Sequence, residues 1–379
     1  MANRHAALDP HILTIQDLQE SASKILPKMY SEYFNGGSMD MITLRDNEEA
    51  YNRYKLRPRI LVNVSKIDMS TTIFGTKVVS FPLGFAPAAM HKLAHPDGEV
   101  ATSRAAAKNG IAMGLSAWST STMEDVIAEG KGNPYAFQVT LLKDRIIALK
   151  MLKRAEKNGY KAILLTVDGV VLGKRLNEHR NLFSLPEGIK FPNIESKTNA
   201  ASVEASDDGL NYDTTPDWEN VIPWLRSNTK LPIWVKGVYT PEDVRLAIQY
   251  GLDGVIVSNH GGRQLDSAPA TLDALRECAL VAAGKIPIAI DGGIRRGTDI
   301  FKALALGACF CFVGRVPIWG LAASTDRRQH NGEAGVDLAI KLLMDEFQTT
   351  MALAGCKTVE DISRAHLSIL MPDGILAKL

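Results

Sequence analysis

The apolar run Gly254 to Val257 leads straight into "SNHGGRQLD", residues 258 to 266, where an imidazole, two glycines and a guanidinium follow one another. A hydrophobic core has no use for any of them. His260 can take a proton, and Arg263 can hold an anion in a planar fork of donors. Two such side chains belong together when something anionic, or something that loses a proton, lies between them. Asp168 ends another apolar run, "AILLTVD", and a carboxylate beside an imidazole favours its protonated form and raises its basicity. Lys236 closes "PIWVKG", where a buried cation suits a site that must stabilise negative charge. Each residue has a plainer alternative: Asp168 a helix cap, His260 a hydrogen-bonded structural histidine, Lys236 an exposed stem. Their shared position at the ends of apolar runs favours function.

Elements of fixed geometry must bring these groups together. From residue 81 onward, eight short apolar runs recur: 82–87, 112–117, 136–140, 162–168, 232–237, 254–259, 287–293 and 309–315. Near-continuous apolar character is expected of strands covered on both faces. Amphipathic stretches such as 143–159, 240–251 and 297–308 lie between them, and Thr240-Pro241-Glu242-Asp243 reads as a helix start that Gly251 closes. Eight strand–helix units predict an α/β protein with a closed (β/α)8 TIM barrel, whose active site lies at the carboxyl ends of the strands. Those ends carry Pro87-Ala88-Ala89, Ser116-Ala117-Trp118, Gln138 and Thr140, Thr166 and Asp168, Lys236, Ser258 with His260 and Arg263, Asp291-Gly292-Gly293, and Gly314-Arg315. The glycines after the last two strands, with Arg295 and Arg315, fall where barrels hold a phosphate on backbone N–H groups. No G-x-G-x-x-G follows a first strand, which argues against a nicotinamide bound in a Rossmann unit.

One domain accounts for the chain. Residues 1–80 are expected to form an N-terminal helical cap, because 15–34 has helical apolar spacing; 81–355 form the barrel and 356–379 a C-terminal tail. Between the fourth and fifth strands lie about 60 residues, and the Asn-, Ser-, Asp- and Pro-rich part from Arg180 to Asp217 reads as a lid on the catalytic face.

The totals narrow the partners. With 43 Lys+Arg against 42 Asp+Glu, the net charge of +1 offers no footprint for nucleic acid or an anionic membrane, which leaves a small molecule. Four cysteines with no C-x-x-C pair fit a reducing compartment, and Cys309 and Cys311 read as packed core thiols. His91 and His95 have the spacing of a metal pair on a helix, but Pro96 interrupts the segment and no third ligand stands near, so no metal is expected. The N-terminus lacks the apolar centre of a secretory signal, and 303–323 is broken by Arg315 and Pro317. The final "AKL" resembles a peroxisomal address; the alternative is a cytoplasmic protein.

From about residue 14 to about 368 the chain resembles the FMN-dependent 2-hydroxy acid oxidase and dehydrogenase family, especially members like glycolate oxidase. The resemblance rests on the order and spacing of "LPKM", "LRPRIL", "APAAM", "HPDGE", "LSAWST", "LTVD", "LGKR", "PIWVKGV", "VSNHGGRQLD", "DGGIRRGTDIFKALALGA" and "FVGR". It implies that His260 is the base that takes the substrate's proton and that Asp168 stabilises the resulting imidazolium. Arg175 and Arg263 would bind the substrate carboxylate, with Tyr33 adding a phenol from the cap and Trp118 and Thr140 facing the rest of the substrate. Lys236 would lie near flavin N1. Pro87, Ala88, Ala89, Ser116, Gln138, Thr166 and Ser258 would contact the isoalloxazine, and Asp291, Gly292, Gly293, Arg295, Gly314 and Arg315 the ribityl chain and phosphate of FMN.

The chain departs from the family pattern at Thr140, where tyrosine is usual, which predicts slower turnover of small acids or a bulkier substrate. Gly169, Val171 and Trp234 also differ and are expected to alter the choice of substrate. Ala89, in place of the glycine of a monooxygenase branch, favours release of peroxide, and the short N-terminal segment leaves no room for a haem domain. The expected reaction is oxidation of an (S)-2-hydroxy acid with electrons passed to O2, giving H2O2, in a homotetramer by family habit. The alternatives are a biosynthetic oxidase or dehydrogenase for a bulkier carboxylated substrate, and a catalytically weak flavin-binding scaffold.

Overall fold

The computed structural model describes residues 7–75, 79–194, 212–323, 331–371 and 373–379. A short strand, β1 (Tyr54–Leu56), precedes the barrel. Eight strands then close it: β2 (Leu83–Phe85), β3 (Ala112–Leu115), β4 (Tyr135–Thr140), β5 (Ala162–Thr166), β6 (Ile233–Val238), β7 (Gly254–Val257), β8 (Ile288–Asp291) and β9 (Phe310–Val313). Neighbours pair in parallel in chain order, and β9 returns to β2. Every residue of these strands is buried, which is why they read as continuous apolar runs rather than alternating ones. Helices start where the sequence caps them. The Thr240 hydroxyl accepts the Asp243 N–H at 3.3 Å ahead of Pro241–Gln249, and the Asp144 carboxylate accepts the Ile146 N–H at 2.8 Å ahead of Arg145–Lys157.

The barrel's lower interior is a plug of aromatic and small side chains, among them Phe74, Trp234, Phe310 and Phe312. Trp234 meets Phe74 edge-on, with ring centroids 5.3 Å apart, and lies flat against Gly254, where a Cβ would come within 2.2 Å of its ring. Trp234 therefore fills the core, and the expectation that it alters the substrate pocket is overturned. Its indole points inward from β6 below Lys236, because residues two apart on a strand share a face.

The cap is built from α1 (Ile15–Ile25), α2 (Lys28–Asn35) and α3 (Ile42–Arg53). The single helical stretch expected over 15–34 is two helices. Pro27 supplies no N–H and pushes Leu26 out of the helical region, to φ −63° and ψ 138°, so α1 ends there and α2 leaves in a new direction. The last residues form β10 (Leu367–Leu370) and β11 (Leu376–Lys378), which extend β1 into a three-stranded antiparallel sheet ordered β1-β10-β11. Ala377 and Lys378 of the "AKL" ending are paired there with Ile369 and Ser368. Residues 195–211 of the expected lid lie outside the described residues. Among the described residues, no helix is long and apolar enough to cross a membrane.

Candidate active site

His260 follows β7 in a left-handed backbone conformation, φ 57°, that few residues other than glycine adopt. Its surroundings impose it. The His260 N–H donates to Ser258 Oγ at 3.1 Å, and the Asn259 side chain accepts the Gly262 N–H at 3.1 Å while exchanging amide bonds of 2.9 Å with Asn47 of α3. So held, His260 Nδ1 lies 3.0 Å from Asp168 Oδ1. The carboxylate can only accept, so Nδ1 carries the hydrogen. The Asp168 side chain is 5% exposed and that of His260 35%, so the imidazole reaches out of the barrel mouth while its partner stays dry. Burial opposes the Asp168 charge, but the neighbouring His260, its hydrogen bond and Lys236 hold the carboxyl below the usual carboxylate range.

The two residues belong to the ends of β5 and β7, with β6 between them. Strand β6 makes way by slipping register against β7 between Lys236 and Val238, leaving Gly237 as a bulge with φ 109°. A Cβ at Gly237 would meet Asp168 Cγ at 2.6 Å, so both the backbone angle and the space require glycine.

Lys236 is buried beside this pair. Its Nζ donates to Ser258 Oγ at 2.9 Å and lies 3.0 Å from Asp291 Oδ2, while Ser258 Oγ donates to Asp291 Oδ1 at 2.7 Å. Burial would lower the ammonium, but Asp291 and Asp168 together hold it above its ordinary value, so it stays charged. Toward β3 and β4, Gln138 Nε2 donates to Thr140 Oγ1 at 2.8 Å and Thr166 Oγ1 at 3.0 Å, and its Oε1 accepts the Ala117 N–H at 3.1 Å and the Ser116 hydroxyl at 3.4 Å. Adjacent strand ends thus present one connected floor of donors and acceptors.

Above that floor the cap and the post-β5 segment bring in the anion-binding groups. The Tyr33 ring stacks on Phe183 at 4.6 Å, and the Arg263 guanidinium lies 4.6 Å from the same ring while donating to the Tyr33 carbonyl. Arg175 Nε donates to the Arg263 carbonyl at 3.3 Å, and Glu178 lies 3.6 Å from Arg175 and 3.5 Å from Arg263. One carboxylate does not neutralise two buried guanidiniums. Burial and the neighbouring Arg175 push the Arg263 guanidinium down to about 10, which leaves it charged at neutral pH and in want of an anion. Trp118 packs against Phe191 and Tyr212, with centroids at 5.2 and 6.4 Å.

Beyond β8, Gly292 and Gly293 turn with φ 103° and 75°, and Arg295 stacks over Trp319 at 4.7 Å with its Nη2 2.6 Å from Glu48 Oε1. Arg295 Nε is buried without a partner. Arg315 opens the helix Arg315–Ala322, and its side chain donates to the carbonyls of Phe34, Gly261 and Gly36 at 2.8, 3.0 and 2.7 Å. That guanidinium is a strut between cap and barrel; its pKa is pushed down to about 9 by burial and by Arg263 and Arg295 nearby. A phosphate would meet this residue through its backbone N–H at the helix start, where amides lack intrahelical partners.

Sequence reasoning passed over three residues that hold the site: Gly237, Glu178 and Gln264. Gln264 donates to the carbonyls of Asp168 and Val171, both at 2.9 Å, and accepts the Gly173 N–H at 3.0 Å, fixing the segment that carries Arg175. Its place inside "SNHGGRQLD" was the available sign. Val171 itself is 61% exposed, and its carbonyl accepts from Gln264. A Cβ at Gly169 would meet nothing nearer than Gln264 at 3.5 Å, so a larger residue would fit there. His91, from the histidine pair, is buried with Nδ1 3.0 Å from Thr102 Oγ1.

Comparison with known proteins agrees with this geometry. Residues 22–369 match the model of the FMN-dependent dehydrogenase family. The chain is 53% identical over 371 residues to Oxidase FUB9 of Fusarium oxysporum f. sp. lycopersici, covering 97% of this chain and 94% of that one. It is 48% identical over 362 residues to Glycolate oxidase 1 of Oryza sativa subsp. indica, covering 94% and 95%. Among solved structures it resembles mandelate oxidase with (S)-2-phenylpropionate, at a TM-score of 0.84 and 34% identity over 94% of this chain and 98% of that one. A TIM barrel carrying a histidine–aspartate pair, a buried lysine and an arginine cluster thus stands among flavin enzymes, and the chain belongs to the FMN-dependent dehydrogenase family.

Proposed function

We propose that the chain oxidises an (S)-2-hydroxy acid to the 2-oxo acid and passes the electrons to O2, giving H2O2. The observation that carries this reading is the His260 Nδ1–Asp168 Oδ1 contact of 3.0 Å beside the buried Arg175 and Arg263 pair. Such a pairing suits one molecule with an acidic proton at one end and a carboxylate at the other. The FMN of this family supplies, when bound, a two-electron acceptor for the substrate's α-hydrogen.

The residues present fit that group. Lys236 offers a buried cation, Arg295 an unpartnered buried N–H, and the floor from Ser116 to Ser258 a row of donors and acceptors. Pro87, Ala88, Ala89, Ser116, Gln138, Thr166, Lys236 and Ser258 would hold the ring system; Asp291, Gly292, Gly293, Arg295, Gly314 and the Arg315 N–H would hold the ribityl phosphate. Arg175, Arg263 and Tyr33 seat the carboxylate, and His260 Nε2 takes the carbinol proton. Asp168 stabilises the imidazolium so formed, because it already holds the Nδ1 hydrogen. His260 then returns its proton as O2 takes two electrons and two protons.

A second reading, a bulkier carboxylated substrate, is favoured by Thr140. Its short side chain is tied to Gln138 and carries none of the ring bulk that a tyrosine would bring to the end of β4. Anaerobic bleaching of the yellow holoenzyme across small, aromatic and long-chain 2-hydroxy acids tests both readings. Bleaching by some acid with peroxide formed on reoxidation in air supports the reaction, and the ranking of acids by size decides the substrate. No bleaching by any member of the panel overturns it.

We also propose a peroxisomal location on the strength of "AKL", and a homotetramer. Exposed Ile60, Leu61, Leu353 and Ile375 support self-association. Imaging of an N-terminally tagged chain with and without its last three residues, and light scattering, test these two points.

A further inference from the structure

The phenol missing from Thr140 has a counterpart in the described residues. Tyr212 lies at the far end of the β5–β6 connection, yet the structure brings it back to the end of β4. Leu142 and Tyr212 form an antiparallel bridge, the Asp213 N–H donates to the Leu141 carbonyl at 3.0 Å, and Asp213 is locked by Arg145 at 2.5 Å. This anchor sets the Tyr212 ring 6.4 Å from Trp118. Arg175 and Tyr33 are the charged and phenolic groups within electrostatic reach of its hydroxyl, which makes no hydrogen bond among the described residues. Burial holds that hydroxyl up at about 12, opposed by Arg175 and reinforced by Tyr33, so at neutral pH it is a proton-bearing donor. A half-buried donor with no acceptor among the described residues, within electrostatic reach of an arginine that itself wants an anion, is suited to an anionic ligand oxygen.

We propose that Tyr212 is a substrate-positioning residue that donates to the carboxylate seated by Arg175 and Tyr33, replacing the phenol absent at position 140 from a different direction. The inference rests on the pocket assigned above. It goes beyond that assignment in one respect: a phenol at position 140 would face the reacting carbinol, whereas Tyr212 stands on the carboxylate side. The chain would thereby keep affinity for the acid group and open the space over β4 to the substrate's tail. Tyr212 should act on binding and leave the rate of the chemical step nearly unchanged.

The test is Tyr212→Phe in the FMN-loaded enzyme. Phenylalanine keeps the ring against Trp118, and no hydrogen bond among the described residues is lost, so melting temperature and FMN content are expected to match the parent. Oxalate and benzoate are titrated against the flavin spectrum, a readout that needs no turnover. The dissociation constants are expected to rise on the order of 10- to 100-fold, as for loss of a hydrogen bond to a charged group, while the limiting bleaching rate at saturating substrate falls less than about threefold. Unchanged dissociation constants overturn the proposal, as does a fall in limiting rate with affinity intact, which would place the hydroxyl at the carbinol. If neither carboxylate perturbs the parent spectrum, the carboxylate seat is absent and the proposal fails. If both bind in a Tyr212-dependent way while no 2-hydroxy acid bleaches the flavin, this inference stands and the proposed reaction falls. Should Tyr212→Phe not load FMN, Tyr212→Met carries the same titration.

Discussion

Replacing Asp168 by asparagine removes one charge and leaves the shape of the site nearly intact. In the parent, Asp168 Oδ1 sits 3.0 Å from His260 Nδ1 on a side chain that is 5% exposed. Two unit charges about 4 Å apart attract by about 4 kcal/mol at an effective dielectric constant near 20. That attraction arises only once His260 has taken the proton, so it lowers the barrier rather than the ground state. Asparagine still offers an oxygen to the Nδ1 hydrogen, and a neutral hydrogen bond returns about 1 kcal/mol. The net loss of about 3 kcal/mol corresponds to a fall of about 100- to 200-fold in rate, at 1.36 kcal/mol per factor of ten. Stopped-flow bleaching of the holoenzyme at saturating substrate measures it, with FMN content and carboxylate affinity as controls. A fall of less than about fivefold, with both controls intact, would refute the stabilising role given to Asp168. Stability offers a separate check, because the Asp168 pKa is depressed in the fold. Its contribution is fully present above the ordinary value of 3.8 and is lost as pH falls through the lower folded value, so the melting gap between parent and variant should narrow on acidification.

Three further outcomes follow from the same contacts. Arg263→Lys loses the planar fork and the stacking on Tyr33, and the dissociation constant for oxalate should rise on the order of 10- to 100-fold in a flavin-spectrum titration. Gly237→Ala drives a Cβ to 2.6 Å from Asp168 Cγ at φ 109°, and calorimetry should show a destabilisation of about 1–3 kcal/mol together with slowed bleaching. Trp234→Ala empties part of the barrel plug and should cost about 3–5 kcal/mol in denaturant unfolding, while the ranking of substrates stays as in the parent.

The barrel was legible because each strand is covered on both faces and therefore carries an uninterrupted apolar signature, while the residue that breaks the run marks the mouth. His260, Asp168, Lys236 and Arg263 announced themselves in that way. The break at Pro27 was legible too, yet the spacing on either side of it outweighed the proline, and the cap gained a helix the reading had fused. Trp234 was misjudged for a different reason. A departure from a family pattern says that a position differs, but only the pleat of β6 says which way its side chain points. Tyr212 could not be found from its neighbours in sequence at all, since it lies 72 residues from Thr140 and the two walls meet only through the bridge to Leu142.

The bulge at Gly237 has a consequence for how this enzyme could diversify. Strand β6 slips register where Gly237 passes Asp168, so the proposed proton transfer would rest on a local irregularity that tolerates one residue type. The sector from β5 to β7 is thereby frozen. The strands β3 and β4 pair without such a slip, and the sector that carries Trp118 and Thr140 could exchange bulk for space without disturbing His260 and Asp168. On the proposed reaction, one arc of the mouth would fix the chemistry and the other could accept a change of acid.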